Sequence, residues 1–138
     1  MLDKLKIRMT LPLLSTLVLL SYVSGFAQAP NDLAKSVKLG FRTANAKEIA
    51  PHLSEKTEIK FDGEKALYSK DKVDQVLTKF LTDVKPKDFQ MLHKGASKEG
   101  IKFYIGELSS EKGTYRVLIY FKNSVNNPII ESIDISKE

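Results

Sequence analysis

The hydrophobic and polar positions divide this chain into an apolar leader and a patterned body. From Leu11 to Val23 the run is nearly unbroken, interrupted only by Pro12 and small hydroxyl residues. Beyond it, Leu33, Val37, Gly40, Phe41 and Ala44 recur at helical spacing behind a cap at Asn31 or Asp32, which predicts a first helix. Asn45 followed by Glu48 has the form of a capping box opening a second helix, with Ala46, Ile49, Ala50 and Leu53 on its buried side. Pro51 lies inside that segment, so the helix should be short, bent or partly 3₁₀. Thr57 to Phe61 alternates, with Ile59 and Phe61 on one side, and ends at the turn dipeptide Asp62-Gly63; Lys65 to Tyr68 returns as a second strand. Ser69 should cap the clearest helix. Val73, Val76, Leu77, Phe80, Leu81 and Val84 make a complete apolar stripe, and Pro86 stops it.

From Asp88 onward the pattern is strand, over roughly 88–95, 101–109, 114–122 and 128–136. The connections are too short for anything but antiparallel neighbours. The order ααββαββββ predicts an α+β domain, with helices packed on one face of a curved antiparallel sheet. With turns centred near Lys98 and Glu111, His93 faces Phe103, Met91 faces Ile105, and Glu107 faces Tyr115. Odd-numbered residues then share the apolar face toward the helices, joined by Ile133 and Ile135. The opposite face carries Lys102, Tyr104, Arg116, Leu118, Tyr120 and Lys122. That is apolar for a solvent face, a mixture that marks a self-association surface.

The leader changes the picture of where this domain works. Asp3, Lys4, Lys6 and Arg8 precede the apolar run, and Gly25, Ala27 and Ala29 follow it. Charged, apolar and small-residue regions in that order form a secretory signal peptide. The run is short of the ~20 apolar residues a membrane span needs. Cleavage after Ala27 suits the small-residue slots, whereas cleavage after Ala29 leaves Pro30 next to the cut. The expected product is one domain, 28–138, exported to the periplasm or beyond and soluble, with no membrane contact after cleavage. The chain has no cysteine, which excludes a lipidated cysteine, disulfides and thiol chemistry. Of the formal charge of +5, Lys4, Lys6 and Arg8 against Asp3 carry +2, leaving +3 on the body. Its lysines are interleaved with acids, as in Lys70-Asp71-Lys72-Val73-Asp74, rather than gathered into the basic stripe of a nucleic-acid binder.

Five segments carry a resemblance: Asn45-Ala46-Lys47-Glu48, Leu67-Tyr68-Ser69-Lys70, Gly95-Ala96-Ser97-Lys98-Glu99-Gly100, Tyr104-Ile105-Gly106-Glu107-Leu108 and Gly113-Thr114-Tyr115-Arg116-Val117. With the element order, they resemble a family of small secreted domains of unknown function from Bacteroidota with the nuclear-transport-factor-2-like (NTF2-like) fold. The resemblance implies a cone-shaped α+β domain and export, and brings no catalytic residues with it.

Candidate chemistry is sparse. His52 and His93 are the only histidines, no metal-ligand spacing is present, and no cofactor is expected. Lys112-Gly113-Thr114 lacks the glycines and context of a phosphate loop. His93, Glu107 and Tyr115 are expected to line the cone as candidate ligand contacts. A desolvated carboxylate beside a tyrosine would suit proton transfer of an isomerase or dehydratase kind. Tyr104, Arg116, Leu118 and Tyr120 are the candidate interface residues. The preferred reading is a non-enzymatic binding or interaction module, dimeric through the sheet face, with a small-ligand enzyme as its alternative.

Overall fold

A computed structural model describes residues 29–123 and 127–138. The expected leader and its cleavage site lie outside these residues. Helix α1 spans Ala29–Arg42 and buries Leu33, Val37, Gly40 and Phe41. It begins early enough that Asp32 lies in its first turn rather than at its cap. The second predicted helix is two 3₁₀ turns, Ala46–Glu48 and Ala50–His52. The Asn45 side chain caps the first, but it accepts from the Lys47 N–H at 3.2 Å rather than closing a capping box with Glu48.

Strands β1 (Leu53–Phe61) and β2 (Glu64–Ser69) form the expected hairpin. Asp62 and Gly63 both hold positive φ, 48° and 93°, as a two-residue turn matched to strand twist requires. Helix α2 (Lys70–Val84) buries Val73, Leu77, Leu81 and Val84, with Val76 and Phe80 packed beside them. Ser69 occupies its N-cap position without a side-chain capping bond. Lys85 turns left-handed ahead of Pro86 and donates its N–H to Leu81 O at 3.1 Å, closing the helix.

Strands β3 (Pro86–Ala96), β4 (Lys102–Ser110), β5 (Gly113–Asn123) and β6 (Pro128–Lys137) complete one six-stranded sheet in the order β2-β1-β6-β5-β4-β3. The meander is antiparallel as expected, but β1 and β6 run parallel, so the sheet is mixed. Segments more than 70 residues apart in the chain therefore pair inside the sheet. Both helices pack on one face, over Ile59, Phe89, Leu108, Val117, Ile119, Ile133 and Ile135. Phe41 of α1 stacks on Phe89 with ring centroids 5.1 Å apart.

The predicted register of β4 is off by one residue. Ser110 pairs with Gly113 across a two-residue turn, so Leu108 faces Tyr115, Gly106 faces Val117 and Tyr104 faces Ile119. The turn is fixed from outside the hairpin: Glu111 N–H donates to the carbonyls of Val84 and Lys85, both at 3.1 Å. Because side chains alternate, this one-residue slip turns every residue of β4 to the opposite face. Tyr104, Gly106 and Leu108 point inward, while Phe103, Ile105 and Glu107 point outward. Tyr104, expected on the outer face, is only 4 % exposed and packs on Phe121 with ring centroids 4.6 Å apart.

Candidate functional site

The strand register lays out the outer sheet face row by row. One row reads Gln90, Glu107, Arg116 and Ser136. The next reads His93, Ile105, Leu118, Asp134, Lys60 and Lys65. The third reads Gly95, Phe103, Tyr120, Ser132, Glu58 and Leu67. Ile105, Leu118, Phe103 and Tyr120 thus form a contiguous apolar square on β4 and β5, flanked by charge toward β1. Aromatic contact continues across it, with His93–Phe103 and Phe103–Tyr120 centroids at 6.3 and 6.2 Å. Phe103 lies flat over Gly95, where an added Cβ would stand 2.3 Å from its Cζ.

Tyr120 also lines a groove of about 430 Å³ at the upper edge of this face. Ile101 and Tyr120 give it apolar surface, Ser97 and Ser132 give it hydroxyls, and Glu58, Glu99 and Glu131 give it carboxylates. Glu58 is paired with Lys65 at 3.7 Å and Glu131 with Lys122 at 3.0 Å. Arg116, at the other end of β5, meets the Glu138 carboxylate at 2.8 Å.

The three residues expected to line the cone are not brought together. Tyr115 points inward, where it meets Phe80 edge-on at 5.2 Å. Glu107 points outward through the register slip. His93 also points outward and is exposed, because a bulge at Leu92 shifts β3 against β4. No single cavity can be lined by all three. Of the four expected interface residues, Arg116, Leu118 and Tyr120 are on the outer face and Tyr104 is not.

The helix side holds features that periodicity did not reveal. Phe61, Val76 and Phe80, with the Lys79–Asp83 ion pair, border a groove of about 250 Å³ between α2 and β1. His52 Nε2 lies 3.1 Å from Ser36 Oγ, joining the second 3₁₀ turn to α1. Burial pushes the His52 pKa below its ordinary value; Asp32 opposes that shift and Lys70 adds to it. Burial likewise raises the Tyr104 phenol. Among the described residues, no group of three histidine or carboxylate side chains is placed to hold a metal ion.

The family model for a domain of unknown function, DUF4783, matches residues 34–136. This chain belongs to the DUF4783 family. Crystal structures of DUF4783 proteins share its fold. That from Bacteroides ovatus is 25% identical, covering 78% of this chain and 96% of its own, with a TM-score of 0.72. That from Bacteroides fragilis is 25% identical, covering 75% and 96%, with a TM-score of 0.70. An NTF2-like protein of unknown function from Shewanella baltica aligns at 8% identity over 80% of this chain and 91% of its own, with a TM-score of 0.63. The DUF4783 domain therefore has an NTF2-like α+β fold, as the sequence motifs imply. No curated protein sequence matches the chain.

Proposed function

We propose that this DUF4783 protein is an exported, non-enzymatic interaction module that pairs with a second copy through the outer face of its sheet. The observation that supports it is the apolar square of Phe103, Ile105, Leu118 and Tyr120. The sequence alone put two of these residues inside the core; turned outward, they make the outer face more apolar than expected. Burying such a face between two sheets removes it from water at about 25 cal/mol for each Å² covered. Export rests on the leader, residues 1–27. The proton-transfer alternative requires Glu107 and Tyr115 on one face, and they stand on opposite ones.

Sedimentation velocity tests the pairing. The wild-type protein, made with its leader in an exporting host, should sediment as a concentration-dependent dimer. Leu118→Glu should be monomeric with an unchanged circular dichroism spectrum. Tyr104 is unsuitable for this test, since a charge at that buried position would unfold the domain. A wild-type protein that stays monomeric at high concentration, or a Leu118→Glu variant that still dimerises, would contradict the proposal.

A further inference from the structure

The two edges of the sheet are not alike. In the order β2-β1-β6-β5-β4-β3, the strands with one open side are β2 and β3. Strand β3 is defended against further pairing: it opens on Pro86, is broken by the bulge at Leu92, and carries Lys87 and Lys94. Strand β2 has neither proline nor bulge. It follows β1 in unbroken register from Glu64 to Ser69 and leaves Leu67 62 % exposed. Its one lysine, Lys65, is paired with Glu58 at 3.7 Å. We infer that β2 is a strand-addition site that takes the β2 of a second copy, antiparallel, with Leu67 facing Leu67 across a two-fold axis. This contact is separate from the outer-face square and does not depend on it.

The hairpin fixes which backbone groups are free. A two-residue turn makes Phe61 and Glu64 a hydrogen-bonded pair, and such pairs alternate along an antiparallel ladder. Glu64, Ala66 and Tyr68 therefore turn their backbone N–H and C=O toward β1, while those of Lys65, Leu67 and Ser69 point to the open edge. A second β2 related by a two-fold axis normal to the sheet sets odd-numbered residues opposite odd-numbered ones. With Leu67 on Leu67, Lys65 lies opposite Ser69, so every outward position meets an outward position. The two Leu67 residues then exchange N–H and C=O bonds, and each Ser69 N–H donates to the Lys65 carbonyl of the other copy. A shift of two residues either way drops Lys65 or Ser69 from the ladder and sets Leu67 against the other of them, with no apolar side chain to cover it.

The side chains agree with that register. On the outer face, each Leu67 covers the other. On the helix side, the small Ala66 stands opposite Tyr68, in a pair whose side chains approach closely. The arriving Tyr68 ring falls over a groove of about 190 Å³ bordered by Ile59, Phe61, Ala66 and Tyr68. Glu64 comes opposite Lys70, the first residue of α2, and among the described residues neither has another ion-pair partner. No like charges stand directly opposite. A strand of six residues covers less surface than a sheet face, so this is the weaker contact. It fills above the concentrations at which face pairing is read.

Hydrogen exchange on the whole protein tests the site, first with a probe peptide of residues 63–70. At about ten times its Kd the peptide should slow exchange of the Lys65, Leu67 and Ser69 amides by about tenfold, and leave Ala66 and Tyr68, already bonded to β1, unchanged. The same peptide carrying Leu67→Pro should protect nothing, because it lacks the central N–H. Raising the concentration of the protein alone should slow the same three amides, and Leu67→Lys should remove that protection without altering the thermal melt. If neither peptide nor concentration slows these amides, the edge is closed and the inference is overturned. If the peptide slows them and concentration does not, the edge receives an extended segment of another protein and the second copy is the wrong occupant. If the protein stays monomeric in sedimentation while the three amides still respond at higher concentration, the outer-face proposal falls and the edge pairing stands.

Discussion

At the scale of single residues, two glycines show how the same contact has different consequences on the two faces. A Cβ at Gly106 would stand 2.1 Å from Phe89 Cζ, and one at Gly95 would stand 2.3 Å from Phe103 Cζ. Phe89 is fully buried and stacked on Phe41, so it has nowhere to go. Phe103 is half-buried on the outer face and can swing outward. We therefore expect Gly106→Ala to cost about 1–3 kcal/mol in urea unfolding, and Gly95→Ala to stay within about 0.5 kcal/mol. Equal costs would contradict the face assignment. His52 gives a second test. Burial holds its pKa below 6.5 in the folded protein, so the unfolded chain binds the proton first as pH falls. Its contribution is intact above about pH 6.5 and declines as pH drops through that value toward the lower folded-state pKa. Between about pH 7.5 and 5.5 the wild type should lose more stability than His52→Gln, which can still bond to Ser36; parallel losses would remove His52 from the account. The sequence shows both histidines but not which is buried, because that depends on α1 and the 3₁₀ turns meeting 16 residues apart in the chain.

At the scale of elements, what was legible depended on how local the signal is. The α2 stripe, its stop at Pro86 and the Asp62-Gly63 hairpin each follow from a few neighbouring residues, and each is found in the structure. The parallel pairing of β1 with β6 joins segments more than 70 residues apart and leaves no local mark. The register of β4 failed for a related reason. A turn centred on Glu111 and a two-residue turn at Glu111–Lys112 fit the same sequence, and what selects the second is the pair of bonds from Glu111 to the end of α2. The slip exchanged Tyr104 with Phe103 and Ile105 between faces, so three of the four interface candidates lie on the outer face and the most apolar part of that face was missed. Asp62 tests the central strand junction. Its carboxylate accepts the Lys137 N–H at 2.8 Å, and its own N–H donates to Ile135 O at 2.9 Å, tying the hairpin tip to the end of β6. Asp62→Ala loses the carboxylate bond and strains a residue at φ 48°, so it should cost about 1–3 kcal/mol. Hydrogen exchange should accelerate at the Lys137 amide in particular; unchanged exchange there would show that the bond does not anchor β6.

At the scale of the whole molecule, the domain is divided between two unlike faces. The inner face is filled by the helices and holds no assembled set of titratable side chains from the expected cone site. The outer face carries an apolar square on β4 and β5, an arginine at one end and an acidic groove at the other. Membership of DUF4783 and the NTF2-like fold establish the architecture, and fold alone does not assign a function. The claim that the outer face is where this protein meets a second copy is tested most directly by methyl NMR over a concentration series. The Ile105 and Leu118 methyl resonances should move together along one saturating curve, while those of Leu77 and Ile119 in the core stay fixed. Outer-face methyls that do not move, or movement confined to Val76 beside the α2 groove, would contradict it.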